Sequence, residues 1–438
     1  MAQTLTKTET SLDYAGSTAI NADGSIFDSL VDLAPYRLAW QQRCSHYSVL
    51  RSYYNGTVYD EWPELVRALK LYSGIRQIFG PLRRAVRVDV AKVPGGWAMP
   101  DSAPTPLVTA VTQVRTWSSW RATYSRAVQH GAVAGEFGLL VCDDQANRRV
   151  QIVALRPDEV VLGELSDGTP FGLVIKPGLV DRYGRYEYAQ LITPTQISLY
   201  RSGQLQLTQP NMQGRVPLLL SPYIAGENGI GENAFAGTQE LLDRVNDATS
   251  QALDVIQRNA EPLTIFSGVS EVDFDPENNA ITLSKADAKA YTLAPNLAID
   301  HAIALIDKVL GEFKNLLPQL IFDDLRSRND LAYDTVLTLC GELIDHVGDV
   351  RTHVDAAVVQ AERWALEAGQ QMGLFGALPL EAHALDEERA VIQPTPGQKL
   401  ALEAQKKALE TPTPAPGQQQ PAQGQQQPAQ GQQQPANG

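Results

Sequence analysis

Apolar positions recur at helical spacing over both outer thirds of this 438-residue chain and alternate through much of the middle. An uninterrupted helical pattern runs from Thr238 to Asn259, with no Gly or Pro until Pro262. Leu241, Val245, Ala248, Ala252 and Val255 recur there at steps of four and three, the mark of one apolar helix stripe. Leu242, Thr249, Leu253 and Ile256 widen that face, and Glu240, Asp243, Arg244, Asp247, Asp254 and Arg258 make the opposite one polar. Glu261-Pro262 forbids continuation, and a glycine-rich turn, Gly226 to Gly231, precedes the run.

Taken in order, residues 1–25 are polar with little to bury and predict a flexible arm. Ile26 to Gly56 is helical, broken at Pro35 and closed by Gly56. Glu64 to Val93 holds further helical stretches and turns β-like at Ala85 to Val90. Leu107 to His130 predicts one helix. Alternation then gives short strands at 138–142, 150–155, 159–162, 171–175, 186–192 and 196–200, punctuated by Gly168, Gly178, Gly184 and Gly203. Short strands follow at 263–266, 280–283 and 290–293, then a helix at 299–317 stopped by Pro318. A charged interruption at 322–330 leads into a long helix from Leu331 to about Gly369, weakened at Gly341 and Gly348. Residues 372–392 read as partly helical and acidic, and 398–410 as a short charged helix. From Thr411 a repeated Pro-Ala-Gln-Gly-Gln-Gln-Gln without an apolar seam predicts a disordered tail. The fold class is α+β.

One ordered series resembles the tailed-bacteriophage portal family, the head-to-tail connector rings. It comprises Gly214-Arg-Val-Pro217, Gly226 to Gly231 with Glu232, Leu241-Leu242, Arg244-Val-Asn-Asp247, and Ala260-Glu-Pro262 through Gly268. Agreement in order, spacing and residue type covers about sixty positions, with weaker agreement from Tyr47 to Leu366. The resemblance implies a portal-like architecture. It places a wing domain of helices and strands at 26–231, stem helices at 232–259 and 299–318, and a small α/β clip at 260–298. It further implies a tunnel loop at 319–330, a long wing helix at 331–370 and a short helical crown at 371–410, before the 411–438 tail. It implies a dodecameric ring at one capsid vertex of the virion, assembled in the host cytoplasm, through which double-stranded DNA is packaged and ejected. Its partners would be the terminase large subunit, a head-tail adaptor, and the major capsid and scaffolding proteins. Asp323, Asp324, Arg326 and Arg328 would face DNA, and Leu241, Val245, Ala252, Ile303 and Ile306 would pack the stem. At the tunnel-to-helix junction, where many portals carry a Ser-Gly pair, this chain has Arg328-Asn-Asp-Leu331.

Composition sharpens this. A formal net charge of −14 argues against broad gripping of phosphates, and suits a conduit that surrounds DNA without holding it. Cys44, Cys142 and Cys340 are odd in number and widely spaced, which predicts reduced thiols. No secretory leader pattern and no apolar run near the ~20 residues of a membrane span is found, so a membrane partner is not expected. Neither GxxxxGK[ST], HExxH nor GxSxG occurs, and the expectation is a protein without enzymatic activity, metal or cofactor. His346, Asp349 and His353 share a predicted helix face but make a thin metal site. Asp323-Asp324 resembles a paired carboxylate, yet Arg326, Arg328 and Asp330 supply local ion pairs. Trp117 and Trp120, at helical spacing beside Val114 and Tyr124, read as core. Two alternatives stand beside the portal reading: another oligomeric virion component, such as an adaptor or capsid protein, and a metal-dependent nuclease using Asp323 and Asp324.

Overall fold

Glycine in a left-handed conformation closes two of the described helices, at Gly56 and Gly135. In the computed structural model, which describes residues 24–58, 80–94, 99–182, 184–226, 230–260, 263–267, 272–275, 280–283, 289–293, 299–321, 325, 333–386 and 389–393, α1 (Ser25–Ser29) and a 3-10 turn holding Pro35 lead into α2 (Arg37–Asn55). Gly56 closes α2 at φ 74°, and Thr57 N–H bonds Ser52 O at 2.9 Å while Gly56 N–H bonds Tyr53 O at 3.1 Å. That pairing satisfies carbonyls the helix leaves open, as the sequence predicts.

The stretch expected to be β-like is helical. Leu82–Lys92 forms α3, and its buried positions Leu82, Ala85, Val86 and Asp89 fall at helical steps. The Val86-Arg-Val-Asp-Val90 alternation suggests a strand, but packing of one helical face overrides β propensity. The single helix expected over 107–130 is two, α4 (Thr105–Trp117) and α5 (Trp120–Ala134). The break has a side-chain cause. Ser118 Oγ donates to Val114 O (2.7 Å) and accepts from Ile152 N–H (2.9 Å), tying the corner to a strand. Gly131 lies inside α5, where a Cβ would come within 2.7 Å of the Tyr223 ring.

Strands β1 (Glu136–Asp144), β2 (Arg149–Leu155) and β8 (Leu218–Pro222) form one antiparallel sheet in the order β2-β1-β8. The other is a five-stranded meander of β3 (Val160–Glu164), β4 (Pro170–Asp181), β5 (Gly184–Ile192), β6 (Gln196–Arg201) and β7 (Gln204–Pro210). Leu140 and Leu218 meet Val174, Ile192 and Ile197 between the sheets. Ile26, Phe27, Leu33 and Trp40 cover the five-stranded sheet's other face. The observed class is α+β.

After β8, the helix expected from 232 begins at Gln239 as α6 (Gln239–Ala260). The seven preceding residues are held as a turn: Ala234 N–H bonds Ala132 O, Asn233 Oδ1 accepts from Phe235 N–H, and Gly237 sits at φ 75°. β9 (Leu263–Ser267) pairs with β12 (Lys289–Leu293), and β10 (Val272–Asp275) with β11 (Ala280–Leu283), all antiparallel. The chain then returns through α7 (Ile299–Leu316). The expected 331–369 helix is interrupted at Cys340, giving α8 (Tyr333–Leu339) and the 31-residue α9 (Gly341–Gln371). Residues 372–386, expected to be partly helical, contain one 3-10 turn at Leu380–Ala382. No helix of the described residues is long and apolar enough to cross a membrane.

Candidate functional site

The feature that stands out from the α+β body is the helix pair α6 and α7. Twenty-two residues give α6 a length of about 33 Å. The β9–β12 ladder sets Leu263 opposite Leu293, so the two helices start and finish beside each other and run antiparallel. They pack along one another. On α6, Leu242 and Val245 are buried, Leu241 and Ala252 are half-buried, and Glu240 and Arg244 form an exposed ion pair one turn apart. On α7, Ile306 is half-buried while Asp307, Lys308, Glu312 and Lys314 are exposed. Ile303 belongs to α7, and its side chain lies outside the described residues, as do Asp323, Asp324, Arg326 and Arg328.

Both helices are rooted in the body. Phe313, Leu317 and Leu320 are buried in the same core as Leu242, Phe235 and the α9 residues Leu343 and Val347. A polar junction completes the root. Asp89 Oδ2 accepts from Tyr223 Oη (2.9 Å) and Gln319 Nε2 (3.1 Å), and His346 Nε2 stands 3.3 Å from it and 2.9 Å from Gln319 Nε2. Asp89 and Gln319 are fully buried, so each bond forms in a medium where an unmade one is costly. Burial, then the Asp89 carboxylate, pushes the Tyr223 hydroxyl well above its ordinary range, so it remains a donor. Four separate segments meet here: α3, the chain after β8, the turn after α7, and α9. His346, weighed in the sequence only with His353 and Asp349, therefore serves this junction. Asp89 and Gln319 were missed, because their 230-residue separation leaves no local signal.

Two further buried charge clusters hold the frame. Glu362 accepts Nε of Arg115 at 2.6 Å and Nη2 at 3.1 Å, and faces His383 Nε2 at 2.8 Å. Burial alone would raise its carboxyl, but the His383 hydrogen bond and Arg115 hold it below the usual range. Asp158 is similarly opposed by burial and held low by Arg156 and Arg51. Beside it, burial and then Arg156 push His130 down to about 3. The unfolded chain protonates His130 near pH 6.5 and the folded chain only near 3, so the unfolded state binds more protons between these values. Stability is therefore expected to fall as pH drops below about 6.5, before depressed carboxyls begin to lose theirs near pH 4. Urea midpoints from pH 7 to 4.5 check this: the wild-type midpoint falls with acid and that of His130→Gln falls less. Parallel curves would remove His130 as the cause.

Among the described residues, no three or more His, Cys, Asp or Glu side chains converge as a metal site. Trp117 is half-buried beside Phe375, their ring centroids 5.9 Å apart, and Trp120 is buried against Tyr124. Both belong to the core or its margin.

No protein-family model and no curated protein sequence matches the chain. Among solved structures it is similar to a chain of the virion of a native gene transfer agent particle, at 12% identity and a TM-score of 0.39. The match covers 75% of this chain and 84% of that one. A likeness at that level carries no argument about function.

Proposed function

We propose that this chain is a phage portal protein, a subunit of a ring at one capsid vertex that conducts double-stranded DNA. The observation that carries the reading is the pair of antiparallel amphipathic helices, joined at one end by two strand pairs and rooted at the other in an α+β body. A ring needs such an element: a stiff hairpin whose partly apolar flanks can meet neighbours while charged positions face an aqueous channel. Supporting it are the ordered sequence series from Gly214 to Gly268 and the long helix after the charged 322–330 segment. On this reading α6 and α7 line the channel, and Asp323, Asp324, Arg326 and Arg328 lie closest to DNA. The net charge of −14 limits friction on a passing phosphate backbone. The terminase large subunit, an adaptor and capsid proteins are the partners such a ring would dock.

Imaging the purified full-length protein by negative stain tests this directly. Rings with a central hole are expected, twelve-fold if the family's usual count holds. Monodisperse single chains at every concentration tried would sink the reading. In assembled rings, Asp323→Asn with Asp324→Asn should raise non-specific DNA affinity, with a salt slope steeper by about 0.9 for each additional phosphate neutralised. Unchanged binding across a salt series would take those residues out of the channel.

A further inference from the structure

Two surface helices of the body carry their charges inward. The charged residues of α2 are Arg37, Arg43 and Arg51, and each is turned to a carboxylate: Arg37 to Asp28, Arg43 to Glu136 at 3.2 Å, and Arg51 to Asp158 at 3.3 Å. The charged residue of α4 is Arg115, and it pairs with the fully buried Glu362. The exposed residues of both helices include no Asp, Glu, Lys or Arg. Along α2, Leu38, Gln42, Ser45 and Val49 recur at steps of four and three, with Leu38 exposed by 65% and Val49 by 53%. Along α4, Thr105, Thr109, Thr112 and Thr116 recur at steps of four and three as well, all exposed. An ordinary surface helix sends its charged residues outward.

The two faces differ in shape. The threonine hydroxyls of α4 are taken up by their own helix: Thr109 Oγ1 donates to Thr105 O (3.0 Å), Thr112 Oγ1 to Val108 O (2.7 Å) and Thr116 Oγ1 to Thr112 O (2.8 Å). That leaves their methyl groups at the surface beside the exposed Val108. This face continues into an open groove of about 760 Å³, with Thr109 and Trp117 on one wall and Leu374, Phe375 and Leu378 on the other. The far wall is fixed in place. Leu374 N–H bonds Gly369 O at 2.8 Å, Gln370 Nε2 donates to Gly376 O at 2.9 Å, and a Cβ on Gly369 would come within 2.4 Å of the Phe375 ring. The α2 face is instead a ridge, on a helix packed from behind by α3, α5 and the turn at Pro157–Glu159. α4 lies elsewhere on the body, against β2 and α9.

We propose that the α2 ridge of one copy of this chain docks along the α4 face and groove of the next copy, with Leu38 and Val49 as its apolar anchors. Each stripe runs about 17 Å from first residue to last, so a helix laid in the groove can match it along its whole length. Charge selects a second copy as the occupant. At a net −14, two copies repel one another over most approaches, and a contact between two faces without charge avoids that cost. Loss of charged residues also marks the centre of protein–protein contacts. Ridge and groove are different surfaces of one chain, so the contact is head-to-tail: each copy gives its ridge to one neighbour and its groove to the other. Such a contact closes into a ring when the rotation between copies allows. The inference deepens the ring reading given above and rests on it for closure alone.

The test uses the full chain with photoreactive benzoylphenylalanine in place of Leu38, irradiated and digested for mass spectrometry. The expected product is a covalent dimer whose adduct maps to 105–117 or 372–378 of the second copy. An adduct on 31–49 of the second copy would mean that two α2 faces pair about a two-fold axis, and would overturn the head-to-tail contact. An adduct elsewhere, or no dimer, would overturn it as well. Charge gives an independent readout. Leu38→Lys and Thr112→Lys should each weaken self-association in sedimentation by about tenfold or more, with the circular dichroism of the fold unchanged, because each traps an ammonium in an apolar contact. Leu38→Lys combined with Thr112→Glu should regain part of that loss. Unchanged association of either lysine variant would remove its face from the contact and sink the proposal. Negative-stain images separate this inference from the ring reading. Rings without the expected adduct would strike the contact and leave the ring, and the adduct in open chains of copies would keep the contact and strike the ring.

Discussion

Replacing Glu362 with alanine is expected to destabilise the body by about 3–5 kcal/mol. Its carboxylate is fully buried and holds two partners from distant parts of the chain, the Arg115 guanidinium on α4 and the His383 ring after α9. The bidentate geometry with Arg115 satisfies both oxygens, and His383 is itself 0% exposed. Alanine would leave a guanidinium and an imidazole buried beside an empty acceptor site, which is why the loss exceeds the net worth of the contacts. Glu362→Gln keeps the shape and one acceptor, and should cost distinctly less. Urea unfolding of the three proteins gives the comparison. A loss below about 1 kcal/mol for the alanine variant would mean that Arg115 and His383 find water or other partners, and that the cluster is dispensable. The consequence reaches past stability. Arg363 Nη2 also donates to His383 O at 2.8 Å, and Arg351 donates to Lys92 O, Val93 O and Arg389 O, so α9 is the post to which the segment after it is tied.

What the sequence made legible was local. Gly56 as a helix stop, Pro318 after α7, and the strand alternation between 150 and 200 each depend on a few adjacent residues, and the structure has them where those residues direct. The apolar stripe of α6 was equally readable, since steps of four and three need no knowledge of a partner. What failed was tertiary. Val86 to Val90 alternates like a strand, yet α3 buries 82, 85, 86 and 89 because α5 and the turn after α7 lie on one side of it. The corner at Ser118 depends on an amide 34 residues away, and Asp89 depends on Gln319 and His346, both more than 200 residues away. A polar residue inside an apolar stretch gives no sign of whether it faces water or a distant donor. The candidate channel residues at 323–328 are known only as a charge pattern, and they lie outside the described residues.

Val245→Asp and Ile306→Asp are expected to fail at different stages, and the difference bears on how the helix pair is used. From the stripe alone, both residues would pack the stem in the assembled ring. Val245 is 2% exposed within one chain, between Leu242 at 2% and the fully buried Asn246. An aspartate there loses about 1.5–3 kcal/mol of apolar burial and adds the cost of a buried carboxylate without a partner. The single chain should unfold or be recovered as aggregate, with its loss visible by circular dichroism before assembly is at issue. Ile306 is half-buried and already borders solvent in one chain, so an aspartate can hydrate and the fold should survive. If neighbouring subunits cover that flank, the same carboxylate is trapped on association, and light scattering should show folded chains that no longer form rings. Normal rings from Ile306→Asp would put this flank outside any subunit contact. A folded, ring-forming Val245→Asp would contradict the burial that roots α6 in the body, and with it the stiffness a channel wall requires.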